Sequence, residues 1–389
     1  MPQSKRLQSI DLLRGTVMII MALDHVRDYF HASAFLYDPT DLTRTDVPLF
    51  FTRWITHFCA PIFTFLAGAA AFLNGTKKTK KELSFFLFTR GLWLVIAEVV
   101  IVTLGWTFNP AYPVLILQVI WALGVSMMVL AGMIYLPMTA ILVIGLAIIG
   151  AHNLLDAPPG AHPASFLMAV IHEQRIIIMK PLIIMVGYPV TPWIGIMMTG
   201  YAFGQLYLPT FDAGKRRRML IGLGLSAIAL FIIIRFINLY GDPHPWSAQK
   251  NAVFTVLSFV NTTKYPPSLL YILMTLGPAM LFLAFAEKPL NKLSEKVVVF
   301  GRVPMFYYLL HIYLIHILSV IAAVISGYKW SDMVLTGWVS MNSQLKGYGY
   351  SLAFVYILWI LIIIGVYPLC KWYDHYKQAN RSKWWLSYI

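Results

Sequence analysis

Apolar runs of about twenty residues alternate with short polar or proline-bearing breaks along the whole chain. That is the length a helix needs to cross the hydrocarbon of a bilayer. Hydropathy and punctuation predict ten spans, over residues 10–30, 49–73, 84–106, 113–134, 137–155, 188–208, 218–240, 268–287, 304–326 and 348–370. The fourth and fifth meet at Leu136-Pro137, where proline disfavours helix in the residue before it and so predicts a tight helical hairpin. The stretch 164–187 is also apolar but is interrupted by His172, Glu173, Arg175, Lys180 and Pro181. It reads as an amphipathic or re-entrant segment on the outer side, or as an eleventh span. The predicted fold class is all-α: a polytopic membrane helix bundle of about 10 transmembrane helices, forming one domain over residues 1–389.

Composition agrees with the pattern. Of 389 residues, 59% are hydrophobic and 12% charged, against about 25% charged in ordinary soluble domains. A disordered chain, a nucleic-acid-binding protein and an ordinary cytosolic enzyme are excluded, and the bilayer is the expected environment. The net charge of +14 is distributed unevenly. Eighteen of the 30 basic residues fall in five segments: Lys5 and Arg6; Lys77, Lys78, Lys80 and Lys81; Lys215, Arg216, Arg217 and Arg218; Lys288, Lys292, Lys296 and Arg302; Lys371, Lys377, Arg381 and Lys383. These fall in alternate loops, as the positive-inside rule requires for ten spans with both termini cytoplasmic. An eleventh span breaks the alternation, so ten is the favoured count. The first apolar run lacks a small-residue cleavage site and reads as an uncleaved span. Cys59 and Cys370 stand alone in apolar runs and read as small buried hydrophobes.

Ionisable residues inside spans are costly and face a partner or a polar cavity. In the first span Asp11 and Arg14, three apart, are expected to pair across one helical turn near the cytoplasmic face. At its other end Asp24, Arg27, Asp28 and His31 follow i, i+3, i+4, i+7 spacing on one face, with His25 beside them. Such a cluster either holds helices together or supplies a histidine base at neutral pH. Arg90 and Glu98, Gln118 and Trp121, Arg235, His311 and His316 extend the theme, each singly more often structural than chemical. Gly200 to Gly204 forms a GxxxG string suited to close helix approach. No HExxH, CxxC, GxSxG or Walker loop is present, so metalloprotease, serine hydrolase and NTPase chemistry lack support, and no metal is expected.

Several strings, in order over nearly the whole chain, resemble the bacterial relatives of heparan-α-glucosaminide N-acetyltransferase, a catalytic family within the wider transmembrane acyltransferase group. They are Arg6-to-Gly15 (RLQSIDLLRG), Leu23-Asp24-His25, Thr56-to-Gly68 (THFCAPIFTFLAG), Arg90-to-Leu94 with Glu98, Pro192-to-Gly204 (PWIGIMMTGYAFG), Lys264-to-Leu269 (KYPPSL) and Gly301-to-His316. The Asp11–His25 interval also resembles the acyltransferase-3 family, in which an aspartate and arginine open the first span and a catalytic histidine closes it. In the animal heparan enzymes an Asn stands where this chain has His25, and a functional His lies in a His-Ala-Ser context, which His31-Ala32-Ser33 resembles.

The resemblance implies transmembrane acyl transfer. Acyl-CoA, in the first instance acetyl-CoA, is expected as co-substrate from the cytoplasm, and a sugar or glycan acceptor on the periplasmic or outer side. It places the protein in the inner (plasma) membrane of a bacterium, with homo-oligomerisation left open. His25 or His31 is the expected general base, with Asp24 or Asp28 orienting the imidazole. Arg14, Arg90 and Arg302 are the expected contacts for the CoA phosphates, because guanidinium forks suit phosphate. Arg27, Arg235, Lys264 and His311 are the expected substrate-binding residues. Direct transfer and an acyl-histidine step both fit. Two other readings stay open: a transporter or exporter of a small polar solute, which ten spans and buried charges also suit, and a non-catalytic membrane scaffold.

Overall fold

A computed structural model describes residues 5–156, 165–179, 181–380 and 382–388; Lys180 and Arg381, both named above, lie outside the described residues. The first helix, α1 (Lys5–Phe30), runs through the centre of the bundle. A broken helix follows: α2 (Val47–Thr56) starts on the Asp46 side chain, which accepts from the Leu49 amide, and α3 (Cys59–Gly75) carries Pro61 in its first turn, where no intrahelical donor is lost. Next comes α4 (Lys80–Ala97), opened by a reciprocal Thr79–Glu82 cap. It passes through a π-helical turn over Glu98–Val102 into α5 (Thr103–Thr107).

The remaining helices are α6 (Val119–Met133), α7 (Met138–Ala151), α8 (Phe166–Ile171), α9 (Thr191–Phe203), α10 (Ala213–Ile237), α11 (Ala252–Val260), α12 (Leu269–Ala286), α13 (Lys292–Arg302), α14 (Pro304–Ile325) and α15 (Leu352–Ala379). Among the described residues seven helical segments are long and apolar enough to cross a membrane: Val47–Gly75, Lys80–Thr107, Met138–Leu155, Ala213–Ile237, Leu269–Ala286, Pro304–Ile325 and Leu352–Ala379. They coincide with seven of the ten predicted spans. The other three predictions fall on α1, rich in charge, on α6, apolar but only 15 residues long, and on α9, 13 residues continued by a 3-10 turn to Tyr207.

Two expectations are corrected. The beginning of predicted span four is a strand, β1 (Val114–Leu117), and helix starts only at Val119. In the predicted stretch 164–187, the described residues 165–179 and 181–187 form neither one amphipathic helix nor an eleventh span. After the six-residue α8 it forms β2 (Arg175–Met179) and β3 (Leu182–Val186). β3 pairs antiparallel with β2 and parallel with β1, so Val114 lies opposite Ile183 and Leu117 opposite Val186. Runs rich in isoleucine fit a pleated surface better than a helix. Five-residue strands are too short to cross hydrocarbon, where about ten residues per strand are needed.

Small residues set the closest crossings. A Cβ on Gly15 of α1 would run into the Val297 carbonyl, and one on Gly301 of α13 into the Asp11 carbonyl, so these two helices touch backbone to backbone. α3 and α9 meet the same way through Gly68 and Gly200, the second belonging to the GxxxG string. Cys59 and Cys370 are buried free thiols, and Cys59 donates to the Val17 carbonyl.

Candidate functional site

α1 presents Asp24, His25, Arg27 and Asp28 to a cavity of about 530 Å³ at the end of the bundle where the helix stops. The opposite wall comes from the small sheet and its flanks, through Ile116, Gln118, Met185 and Tyr188. The segment before α12 adds Lys264 and Tyr265, α5 adds Trp106, and the loop before α15 adds Trp338. The cavity thus depends on the sheet that hydropathy alone misreads.

Asp24 is the electrostatic hub. Arg53 of α2 donates to its Oδ2 at 2.6 Å, Arg27 Nη2 lies 2.8 Å from its Oδ1, and Lys264 Nζ lies 3.8 Å from its Oδ2. Arg27 also pairs with Asp28 at 2.5 Å. Three cations and two carboxylates are therefore held in one buried network. In such a network each charge supports its partners, and removing one leaves the others uncompensated. The Nε and Nη1 of Arg27 are buried and have no hydrogen-bond partner among the described residues, although the side chain is only 3% exposed. These are donors without an acceptor beside the cavity.

His25 is bound differently. Its Nδ1 lies 2.8 Å from Nε2 of His311 on α14, and His311 Nδ1 lies 2.7 Å from the Tyr307 carbonyl. The two imidazoles are nearly coplanar, 4° apart, and Trp106 packs edge-on against His25 at 4.8 Å between centroids. Neither carboxylate orients His25, contrary to expectation; both are engaged by arginines.

The other expected residues divide cleanly. His31 does not line the cavity; its Nδ1 accepts from the Ser33 amide and lies 2.6 Å from the Ser33 hydroxyl, capping a short 3-10 turn. Burial and then Arg27 push the His31 imidazole below its ordinary pKa. Arg235 is fully buried away from the cavity, and its guanidinium donates to the carbonyls of Phe259, His244, Ser258 and Asn261. It clamps the segment between α10 and α12, with Asp242 3.9 Å from its Nη1. His311 stands behind His25 and does not line the cavity. His316 bridges the Gly105 and Met333 carbonyls.

At the N-terminal end of α1 Arg14 pairs with Asp11 at 3.4 Å, as its spacing predicts, and donates to the Gly301 carbonyl. Arg302 lies 3.8 Å from Asp11 and 3.5 Å from Asp374 of α15. Arg90 sits over the Phe86 ring, and both Arg14 and Arg90 act electrostatically on Lys377. The three arginines expected to meet phosphate thus belong to one end of the bundle.

Sequence reasoning missed Arg53 and Trp106. Arg53 was visible as the lone charge in an apolar stretch, the same signal that marked Arg90 and Arg235. Asp38 also lines the cavity. Burial raises its carboxyl pKa, but Arg53 and hydrogen bonds from Thr40 outweigh that and hold it below the usual carboxylate range. Burial likewise raises Tyr265, and the stronger pull of Lys264 and Arg53 leaves the phenol below its ordinary value.

Compared with known families, residues 6–237 match the profile described as "Heparan-alpha-glucosaminide N-acetyltransferase, catalytic", more than half of the chain. The match takes in α1 through α10 and ends before Lys264 and His311. No curated protein matches the sequence.

Proposed function

Because the chain belongs to the heparan-alpha-glucosaminide N-acetyltransferase catalytic family, we propose that it moves an acetyl group from cytoplasmic acetyl-CoA to a saccharide amine or hydroxyl on the outer side of its membrane. Membership makes it an integral membrane protein of an acetyltransferase family; the donor, the acceptor and the residues below are our reading. In that reading α1, α6 and α9 join the seven long apolar helices as spans, both termini face the cytoplasm, and residues 1–389 act as one domain.

One observation carries the proposal: His25 lines the outer cavity with one ring nitrogen already engaged by His311. The Tyr307 carbonyl can only accept, so the neutral His311 ring keeps its proton on Nδ1 and offers a lone pair at Nε2. His25 then donates from Nδ1, and its Nε2 is left as a base. A base must reach the proton it removes and must be unprotonated at the working pH.

The chemistry follows from this arrangement. Acetyl-CoA supplies the thioester. The His25 Nε2 takes the proton from the acceptor nitrogen or oxygen as that atom bonds to the acetyl carbon. The carbon–sulfur bond breaks, and the proton passes to the departing thiolate, leaving acetylated acceptor and CoA thiol. Arg27 lines the cavity and places its positive charge near where negative charge builds on the acetyl oxygen. Asp24 holds Arg27 and Arg53 in place and so shapes the anion-stabilising side of the site, not the base. Lys264, Tyr265 and Trp338 are suited to the acceptor, through charge and ring stacking.

At the inner end Arg90, with Arg14 and Arg302, is the candidate contact for the CoA phosphates. Among the described residues Arg90 has no carboxylate in ion-pair reach, whereas Arg14 pairs with Asp11 and Arg302 with Asp11 and Asp374. The test uses proteoliposomes loaded with glucosamine or a glycan fraction, with radiolabelled acetyl-CoA added outside. Label on the enclosed saccharide is the expected result. Label that never reaches any saccharide, in a preparation shown to be folded, overturns the reading.

A further inference from the structure

Resting on the assignment of His25 as the base, we propose that His311 is a positioning residue that fixes the tautomer of His25 and takes over part of the positive charge when the base is protonated. Three features of the geometry carry this. His25 Nδ1 and His311 Nε2 are 2.8 Å apart, the rings are within 4° of coplanar, and His311 Nδ1 ends on a backbone carbonyl at 2.7 Å. His311 is fully buried and is not itself part of the cavity wall; it touches the wall residues His25, by a hydrogen bond, and Tyr308, by a ring-edge contact, so it acts on a substrate through His25.

The proton inventory balances. At rest each ring carries one proton, on Nδ1, and the chain His25 Nδ1–H to His311 Nε2, His311 Nδ1–H to Tyr307 carbonyl runs in a single direction. When the acceptor proton arrives at His25 Nε2, the shared proton between the rings can lie on either nitrogen. The charge is then divided between two imidazoles, and the second is one ring further from the substrate. The usual partner for a catalytic histidine is a carboxylate. Here the nearby carboxylates are already engaged by arginines, and a neutral ring takes the role. The groups that face His25 and act with this pair are Asp24 and Arg27 on its own helix, Lys264 before α12, Trp106 of α5, and Tyr308 and His311 on α14.

The direct test needs no acceptor. The full-length protein labelled with ¹⁵N-histidine is studied in lipid by solid-state NMR at pH 8, with His25→Gln and His311→Gln used to assign the two rings. Expected are a protonated Nδ1 and a bare Nε2 on both rings. A proton on Nε2 of His25 overturns the proposal. Transfer from acetyl-CoA to glucosamine, or to water where glucosamine is not accepted, gives the second reading. His311→Leu removes the acceptor, and we expect a fall of about 100-fold in kcat, within the range a well-placed base contributes. The acid limb of its pH profile should move to lower pH, because the protonated base has lost its partner. His311→Gln, which keeps an acceptor near the Nε2 position, should recover about tenfold of that loss. His311→Leu with wild-type kcat and an unmoved profile overturns the relay while His25 remains the base. Unimpaired transfer in His25→Gln overturns the base assignment itself, whichever tautomer the NMR finds.

Discussion

The two ends of α1 are both rich in charge, yet they are built for different purposes. At its N-terminal end, the proposed inner one, Asp11 and Arg14 pair within the helix, Arg302 and Asp374 complete the neutralisation, and glycines press α1 and α13 backbone to backbone. At its C-terminal end, the proposed outer one, Asp24 draws cations from three separate elements, α1, α2 and the segment before α12, around a cavity. The spacing of charges along the helix is similar in the two places. What separates them is what the rest of the chain brings to each, since a charge near a span end becomes chemistry only when a cavity adjoins it.

Substitutions can break this contrast in graded steps. The largest effect is expected at Asp24→Asn, which leaves Arg27, Arg53 and Lys264 without their common anion. Losing one partner of a buried charge network costs about 3 kcal/mol or more, so the variant should lose both transfer and thermal stability in detergent. An inner-end match, Asp11→Asn, should cost less, because Arg302 keeps Asp374 and Arg14 keeps the Gly301 carbonyl. If both variants melt alike, the outer end is not the special one.

Next in size is Arg53→Gln. It leaves the Arg27–Asp24 pair and should lower kcat about tenfold while the fold persists, an effect of roughly 1.4 kcal/mol on the barrier. Arg90→Gln should instead raise KM for acetyl-CoA several-fold with kcat little changed, the signature of lost ground-state binding. The reverse pattern in the two variants would exchange the roles of the two ends.

The smallest effect is expected at His31→Ala. The side chain caps a short turn, a contact worth about 1 kcal/mol, and transfer should stay within about twofold of wild type because an N-cap makes no contact with the reacting atoms. Its pH dependence has a definite sign. The folded protein lowers the His31 pKa, so folding disfavours its charged form. The associated stability is present above the ordinary histidine pKa, near 6.5, and is lost as pH falls through the lower folded value. The variant should therefore lose some of the acid sensitivity of the outer loop, as melting at pH 5 and pH 8 would show.

Hydropathy sufficed for most of the architecture. The seven long helices announce themselves by length, and the Asp11–Arg14 pair by its spacing. The sheet did not, because the isoleucine-rich runs over 175–186 look like membrane helix to any count of apolar residues. Only the β-branched content and the break near Pro181 distinguish them. At the site, the i, i+3, i+4 face from Asp24 to Asp28 was legible, but its partners were not. Arg53 lies 29 residues from Asp24 and His311 lies 286 from His25, and no local period links positions so distant. Arg235 misled for the complementary reason. A lone arginine in a span signals a polar partner, and here the hydrogen-bond partners are backbone carbonyls that sequence does not display, with Asp242 at 3.9 Å beside them.

The most direct measurement compares His25→Gln with His31→Ala, each reconstituted in proteoliposomes and assayed for transfer of labelled acetyl to enclosed saccharide. The account predicts a loss of at least about 100-fold for His25→Gln, the contribution of a positioned base, with His31→Ala close to wild type and both proteins equally folded. Full activity in His25→Gln together with loss in His31→Ala would contradict it and move the base to the end of the helix.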